Sequence, residues 1–245
     1  FFKWGGTGAP EWNGINNYIK LFTTDPYFKE SIKVTVYFSL LAVVGSMVYS
    51  LIVAMLLNRK IPARGFFRAV FYLPYVLPAA AVYIGWSWLY NTEWGLFNYI
   101  LSKLGIERLM FVSSSSVVPS LALIAVWLSG NLIVIFLAGL QNVPRVYHEA
   151  AEIDGANAWQ RFWHVTFPSM TPIIFYNMLM SLITNMQVVT PALALTKGGP
   201  GKSSYFMSYM LYNYAFKQRG KIGLACAIAF VLFLLIGAFT LLLFA

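Results

Sequence analysis

The chain has 245 residues, of which 59% are hydrophobic, 18% aromatic and only 10% charged. A soluble domain carries about 25% charged residues, so this composition is that of a membrane protein. The formal net charge of +9 comes from 17 basic residues scattered over loops, which argues against a nucleic-acid surface, and the single cysteine, Cys226, excludes an intramolecular disulfide.

Residues 1–33 read as mixed and loop-like, with turn signals at Gly5-Gly6, Gly8-Ala9-Pro10 and Asn13-Gly14. Asp25-Pro26 supplies the cap and first-turn residues of a helix that runs into the membrane. Five apolar runs follow: Val34–Leu57, Phe71–Tyr90, Val117–Leu140, Pro172–Leu195 and Ile222–Leu243. Each is long enough for the roughly 20 helical residues a bilayer core needs, and far longer than the roughly 10 of a barrel strand. The predicted fold class is therefore an all-α, polytopic membrane helix bundle with five visible spans. Small residues four apart, Ala81 with Gly85 and Gly223 with Ala227, allow close helix contacts. Trp86, Trp88, Tyr90 and Trp94 fall at one membrane edge, as an aromatic belt does, and Ser113–Ser116 reads as a loop.

Between the third and fourth runs, Val146 to Pro172 is the most polar stretch, holding Glu149, Glu152 and Asp154 of the eight acidic residues. It reads as two short helices around a glycine. Good helix formers lead to Gly155, which can take the left-handed turn that closes a helix, and Ala156 starts the next. Pro168 and Pro172 are expected to stop that second helix. Ala150, Ala151 and Ala156 are small enough for a partner surface to approach the backbone. An exposed helix-turn-helix between two spans suits a groove on another protein; the plainer reading is an amphipathic connector with no partner.

At Glu149-Ala150-Ala151, Asp154-Gly155-Ala156, Phe162, Pro168 and Pro172 the sequence resembles the EAA loop of binding-protein-dependent ABC importer permeases, in the carbohydrate-uptake branch. Asn16-Asn17-Tyr18 and Asp25-Pro26-Tyr27-Phe28 resemble the segment after that family's first membrane helix, which implies a sixth, N-terminal helix absent from this chain. The resemblance implies an extracytoplasmic segment at 1–33, a transmembrane domain over 34–245 and a cytoplasmic coupling loop at 144–171. The partners it implies are a second, homologous permease, two ATPase subunits, an extracytoplasmic solute-binding protein, a carbohydrate substrate and the bilayer of the cell membrane. ATP and magnesium are expected on the ATPase subunits, with no cofactor bound by this chain and no covalent chemistry performed by it.

Orientation is where motif and charge disagree. The resemblance places Asn58–Val70 and Gln141–Thr171 inside with six basic residues, leaving eleven outside, five of them between Lys197 and Lys221. The positive-inside rule prefers the reverse. The motif is followed here, because the rule is a bias and a coupling loop must face its ATPase.

No catalytic constellation appears. His148 and His164 are isolated from any cysteine or second histidine at ligand spacing, so a metal site is not expected. Thr196-Lys-Gly-Gly-Pro-Gly-Lys-Ser203 ends like a phosphate-binding loop but lacks glycine at Thr196 and a preceding strand, so it reads as a turn leaving the membrane. It also resembles the family's extracytoplasmic Thr-x-Gly-Gly-Pro segment.

The fourth run is the most polar: Asn177, Ser181, Thr184, Asn185, Gln187 and Thr190 lie within it, and Asn177, Ser181, Thr184 and Gln187 form a stripe near a 3.6 period. Trp127 and Asn131 give the third run a similar stripe. Amides and hydroxyls that donate and accept, beside aromatic faces, suit a carbohydrate path; equally, such residues serve as hydrogen-bonding glue between helices. Gln187-Val188 followed by Thr190-Pro191 resembles the fifth-helix segment lining the family's pathway, and Pro191 can open backbone groups to that cavity. Two alternatives come from other classes. An integral-membrane enzyme would gather acids or histidines near a membrane face, and an ion-coupled secondary transporter would place an ionisable group at mid-membrane. The spans hold no Asp, Glu or His. The particular sugar is not legible.

Overall fold

The computed structural model describes residues 1–218 and 220–244; Arg219, one of the basic residues in the 197–221 count, lies outside the described residues. A two-stranded antiparallel ribbon opens the chain, β1 (Phe2–Lys3) paired with β2 (Glu11–Trp12). The sequence gives no alternation long enough to reveal strands this short. What fixes them is the glycine turn, the Trp4 Nε1–H bond to the Gly8 carbonyl (3.0 Å), and the packing of Phe1 and Phe2 on the Trp12 ring. Helix α1 (Asn16–Thr23) follows, then α2 (Phe28–Asn58). Asp25 caps α2 as its residue type leads one to expect: one carboxylate oxygen accepts from the Tyr27 and Phe28 amides at 3.0 and 3.1 Å.

The next two apolar runs are bent rather than straight. The run at Phe71–Tyr90 is split into α3 (Arg64–Val76) and α4 (Ala79–Leu89), turned by 98°. Pro78 is the cause: it has no N–H to give, and it forces Leu77 into extended backbone, with ψ of 144°. Helix α5 (Leu96–Lys103) lies in the connection that leads to α6 (Val117–Trp127) and α7 (Gly130–Asn142), which meet at 49°. There Ser129 Oγ donates to the Val126 carbonyl at 2.6 Å and pairs with Ser50 Oγ at 2.9 Å, a side-chain competitor for the helical ladder.

Beyond α7 come α8 (Arg145–Ile153), α9 (Ala158–Arg161) and α10 (Phe167–Met186), then α11 (Met207–Tyr212) and α12 (Ile222–Phe244). Contrary to expectation, Pro168 and Pro172 do not stop the helix. A wide turn at Phe162–Thr166, where the Phe167 amide donates to the Phe162 carbonyl five residues back, joins α9 to α10 and admits Pro168 near its start. Helices α2 and α12 are each long and apolar enough to cross a membrane, and two further spans result if each bent pair is one span. Helix α10, at 20 residues, is about 30 Å long but is not among these candidates, and it ends at Met186, so the fourth expected run, Pro172–Leu195, is not one continuous apolar helix.

Contacts divide the chain into two compact units, one of residues 1–41, 78–124 and 182 onward, the other of 42–77 and 125–181. In the first, Phe38 and Phe206 are fully buried against each other and Thr35 Oγ1 accepts from the Met207 amide (2.9 Å). Trp86, Tyr90, Phe97 and Phe111 form an aromatic cluster there, whereas Trp88 and Trp94 point outward. In the second, Ala54, Leu57, Ile133, Phe136, Leu140 and Met170 build the core. The small-residue pairs behave differently from helix-contact motifs. Gly85 faces open space, and Gly223 is pressed against the β1 backbone rather than a helix.

Candidate functional site

Helix α8 starts directly after Pro144, whose extended backbone ends the preceding segment, and none of its residues is buried. Its end is closed by Gly155 at φ +78°: the Gly155 amide donates to the Glu152 carbonyl (3.1 Å) and the Ala156 amide to the Ala151 carbonyl (2.9 Å). This paired closure needs a left-handed residue at that position. Asn157 and Gln160 then open α9 reciprocally, the Asn157 side chain accepting from the Gln160 amide (2.9 Å) and the Gln160 side chain from the Asn157 amide (2.8 Å). An ion pair between Glu152 and Arg161 ties the two helices together.

The result is a cleft of about 700 Å³ between α8 and the α9–α10 arm. Ala150, Ala151, Asp154, Gly155, Ala156 and Pro168 all line it. Glu149 sits at the fifth position of α8, exposed and beyond its first turn. Phe162 belongs to an aromatic group with Trp159, Trp163 and Phe167 that the sequence reading passed over. Their three- and four-residue spacing was the available signal. Around the cleft the surface is apolar where a free polar loop would not be: Ile153 is 87% exposed, Trp159 69% and Val146 61%.

The residues read as a translocation path lie in different settings. Trp127, Asn131, Asn177 and Ser181 fall in the second unit, and Thr184, Asn185 and Gln187 in the first. Asn177 is buried, and its amide donates to the Ile173 carbonyl one turn back at 2.8 Å. Gln187 is exposed where α10 ends, and the backbone is non-helical at Val188 and Val189, just before Pro191. It lines a mainly apolar cleft of about 660 Å³ with Tyr212, Phe216 and Phe233.

The Thr196–Ser203 segment is a turn held by its own groups. The Gly198 amide donates to Thr196 Oγ1 (3.3 Å), the Gly199 amide to the Thr196 carbonyl (2.9 Å), and Ser204 Oγ to the Gly199 carbonyl (2.7 Å). Both glycine amides are thus taken up by Thr196 within the turn itself. Among the described residues no three metal-ligating side chains gather. His164 bonds the Gln160 carbonyl (2.9 Å).

Helical spans, bent spans and an exposed helix-turn-helix between two of them define a polytopic helical membrane protein. Residues 46–245 match the family described as the inner membrane component of binding-protein-dependent transport systems, and the chain belongs to that family. It is 37% identical over 241 residues to the probable ABC transporter permease YesP of Bacillus subtilis, covering 96% of this chain and 77% of that protein. It is 37% identical to the multiple sugar-binding transport system permease MsmF of Streptococcus mutans (97% and 82% covered). Against the trehalose/maltose transport permease MalF of Thermococcus litoralis it is 31% identical (93% and 77%). A bacterial ABC transporter that imports the acidic polysaccharide alginate shares the fold, with a TM-score of 0.83 at 21% identity over 95% of this chain and 82% of that one.

Proposed function

We propose that this chain is a permease subunit of an ATP-driven sugar importer of the cell membrane. It forms the pathway with a second, homologous permease, receives substrate from an extracytoplasmic binding protein and docks through its coupling loop in an assembly with two ATPase subunits. The sugar assignment is supported by the names of MsmF and MalF. A binding-protein partner is in keeping with the alginate transporter, whose structure includes a sugar-loaded periplasmic protein. ATP and magnesium belong to the ATPase subunits, and this chain performs no covalent step.

The observation that carries the coupling role is the exposed apolar rim around the α8–α9 cleft, lined by small residues. In this reading residues 144–171 face the cytoplasm, 1–33 lie outside, and ATPase closure moves the α8–α9 pair. The assembly in proteoliposomes should take up labelled oligosaccharide only with ATP on the loop side and binding protein on the other. Uptake driven by an ion gradient without ATP would refute it.

Within that assembly we read Gln187 as a residue of the path, a reading supported by its exposed side chain in the wall of a cleft. Gln187→Leu is expected to lower uptake roughly three- to tenfold, the loss of one hydrogen bond worth about 0.5–1.5 kcal/mol. Assembly and basal ATP hydrolysis should stay near normal. Unchanged uptake, or failure to assemble, would assign Gln187 to helix packing.

A further inference from the structure

Lys20, Lys202 and Lys221 line one cleft of about 320 Å³ together with Tyr27, Tyr205 and Tyr214. The cleft lies at the end where α2 and α12 begin, at Phe28 and Ile222; the apolar run of α2 opens at Val34, six residues or about 9 Å further along, so the cleft sits on the headgroup side of the hydrocarbon. Neighbouring α1 runs beside the membrane part of α12: Tyr18 packs on Phe230, eight residues past Ile222 and so about 12 Å along the helix. Ile15, just before α1, and Ile19 and Phe22 within it are exposed apolar residues.

Two of the lysines are held in place without being neutralised. Lys202 lies 4.4 Å from the Tyr205 ring centre and 5.3 Å from that of Tyr27; Lys221 lies 4.9 Å from that of Tyr214 and donates to the Gln218 side chain at 2.6 Å. Asp25, the one acid in the cleft, is engaged elsewhere, one oxygen capping α2 and the other accepting from the Tyr214 hydroxyl. Burial and that carboxylate keep the Tyr214 phenol above its usual range and protonated. Among the described residues none of the three lysines is in an ion pair, so the cleft keeps an excess of positive charge.

We propose that this cleft binds the phosphate of an anionic membrane lipid. Lysine ammonium groups beside tyrosine rings at the membrane edge match a phosphodiester that arrives from the bilayer, and the volume admits a headgroup but not an oligosaccharide. The inference is independent of which leaflet this face meets.

The test is made on the full chain in nanodiscs of phosphatidylcholine with and without phosphatidylglycerol, reading retained lipid by native mass spectrometry. Phosphatidylglycerol should be retained selectively, and Lys20→Gln, Lys202→Gln and Lys221→Gln should each weaken retention about fivefold. Replacing all three with Arg should preserve it, and so should Lys103→Gln, whose lysine lies over Tyr99 outside the cleft. Gln218→Glu, which keeps all three lysines and places a carboxylate beside Lys221, should also lower retention. Undiminished retention in the triple Gln variant or in Gln218→Glu would overturn the site. Displacement of the lipid by millimolar inorganic phosphate would overturn the lipid source in favour of a soluble anion.

Discussion

Gly155→Val is expected to abolish uptake and deplete bound ATPase subunit while the chain still inserts in the membrane. The cause is backbone conformation and not crowding. Gly155 sits at φ +78°, and a Cβ added there meets nothing within 4 Å. A left-handed residue with a side chain costs about 1–2 kcal/mol, and β-branching adds to it. The cheaper outcome for the chain is to give up the left-handed turn, which unties the Ala156–Ala151 closure and swings α8 away from the α9 arm. Asparagine tolerates that conformation, so Gly155→Asn should keep most of the uptake, whereas a purely steric role would predict comparable losses for these two side chains of similar size. Ala151→Leu, half-buried in the cleft wall, should impair docking by bulk, and exposed Glu149→Gln should be mildest. ATPase co-purification with uptake, measured across these four variants, checks the ranking.

Gly130→Val is expected to cost the fold itself. A Cβ at Gly130 would lie 2.6 Å from the Phe71 carbonyl oxygen and 3.0 Å from the Tyr72 Cα. Both are backbone atoms, so no rotamer change relieves the clash and α3 must move off α7. Overpacking of this kind costs about 1–3 kcal/mol, enough to lower the melting temperature and yield sharply. Gly85→Ala is the control: it faces open space, so its thermal midpoint should hold or rise. Equal midpoints for both variants would mean that α3 does not press on α7 at this point.

The helical membrane class was legible because a bilayer demands long apolar runs, and four of the five runs coincide with a long apolar helix or a bent helix pair. The bends were not. Pro78 and Ser129 stand in plain view within their runs, yet hydropathy is blind to a 98° or a 49° turn. Gly155 was legible because a left-handed residue at a helix end is a local requirement. The Asn157–Gln160 capping pair was equally local and was missed, and with it the aromatic group of Trp159 and Phe162. Asn177 shows where sequence stops: an amide facing a path and one bonding the carbonyl of Ile173 four residues back have the same spacing. The surroundings of a charge are equally invisible to a count: Lys202, Lys217 and Lys221 lie over tyrosine rings.

The most direct measurement is cross-linking from the cleft. Ala150→Cys in a Cys226→Ser background puts a single thiol on the exposed wall of the cleft, in place of a small side chain. In the assembled transporter a short bifunctional reagent should join it to the ATPase subunit, with a yield that changes when ATP is bound. A membrane-impermeant thiol reagent added outside intact cells should leave it unmodified. Labelling from outside, with no cross-link to the ATPase subunit in either nucleotide state, would contradict the docking role of this loop.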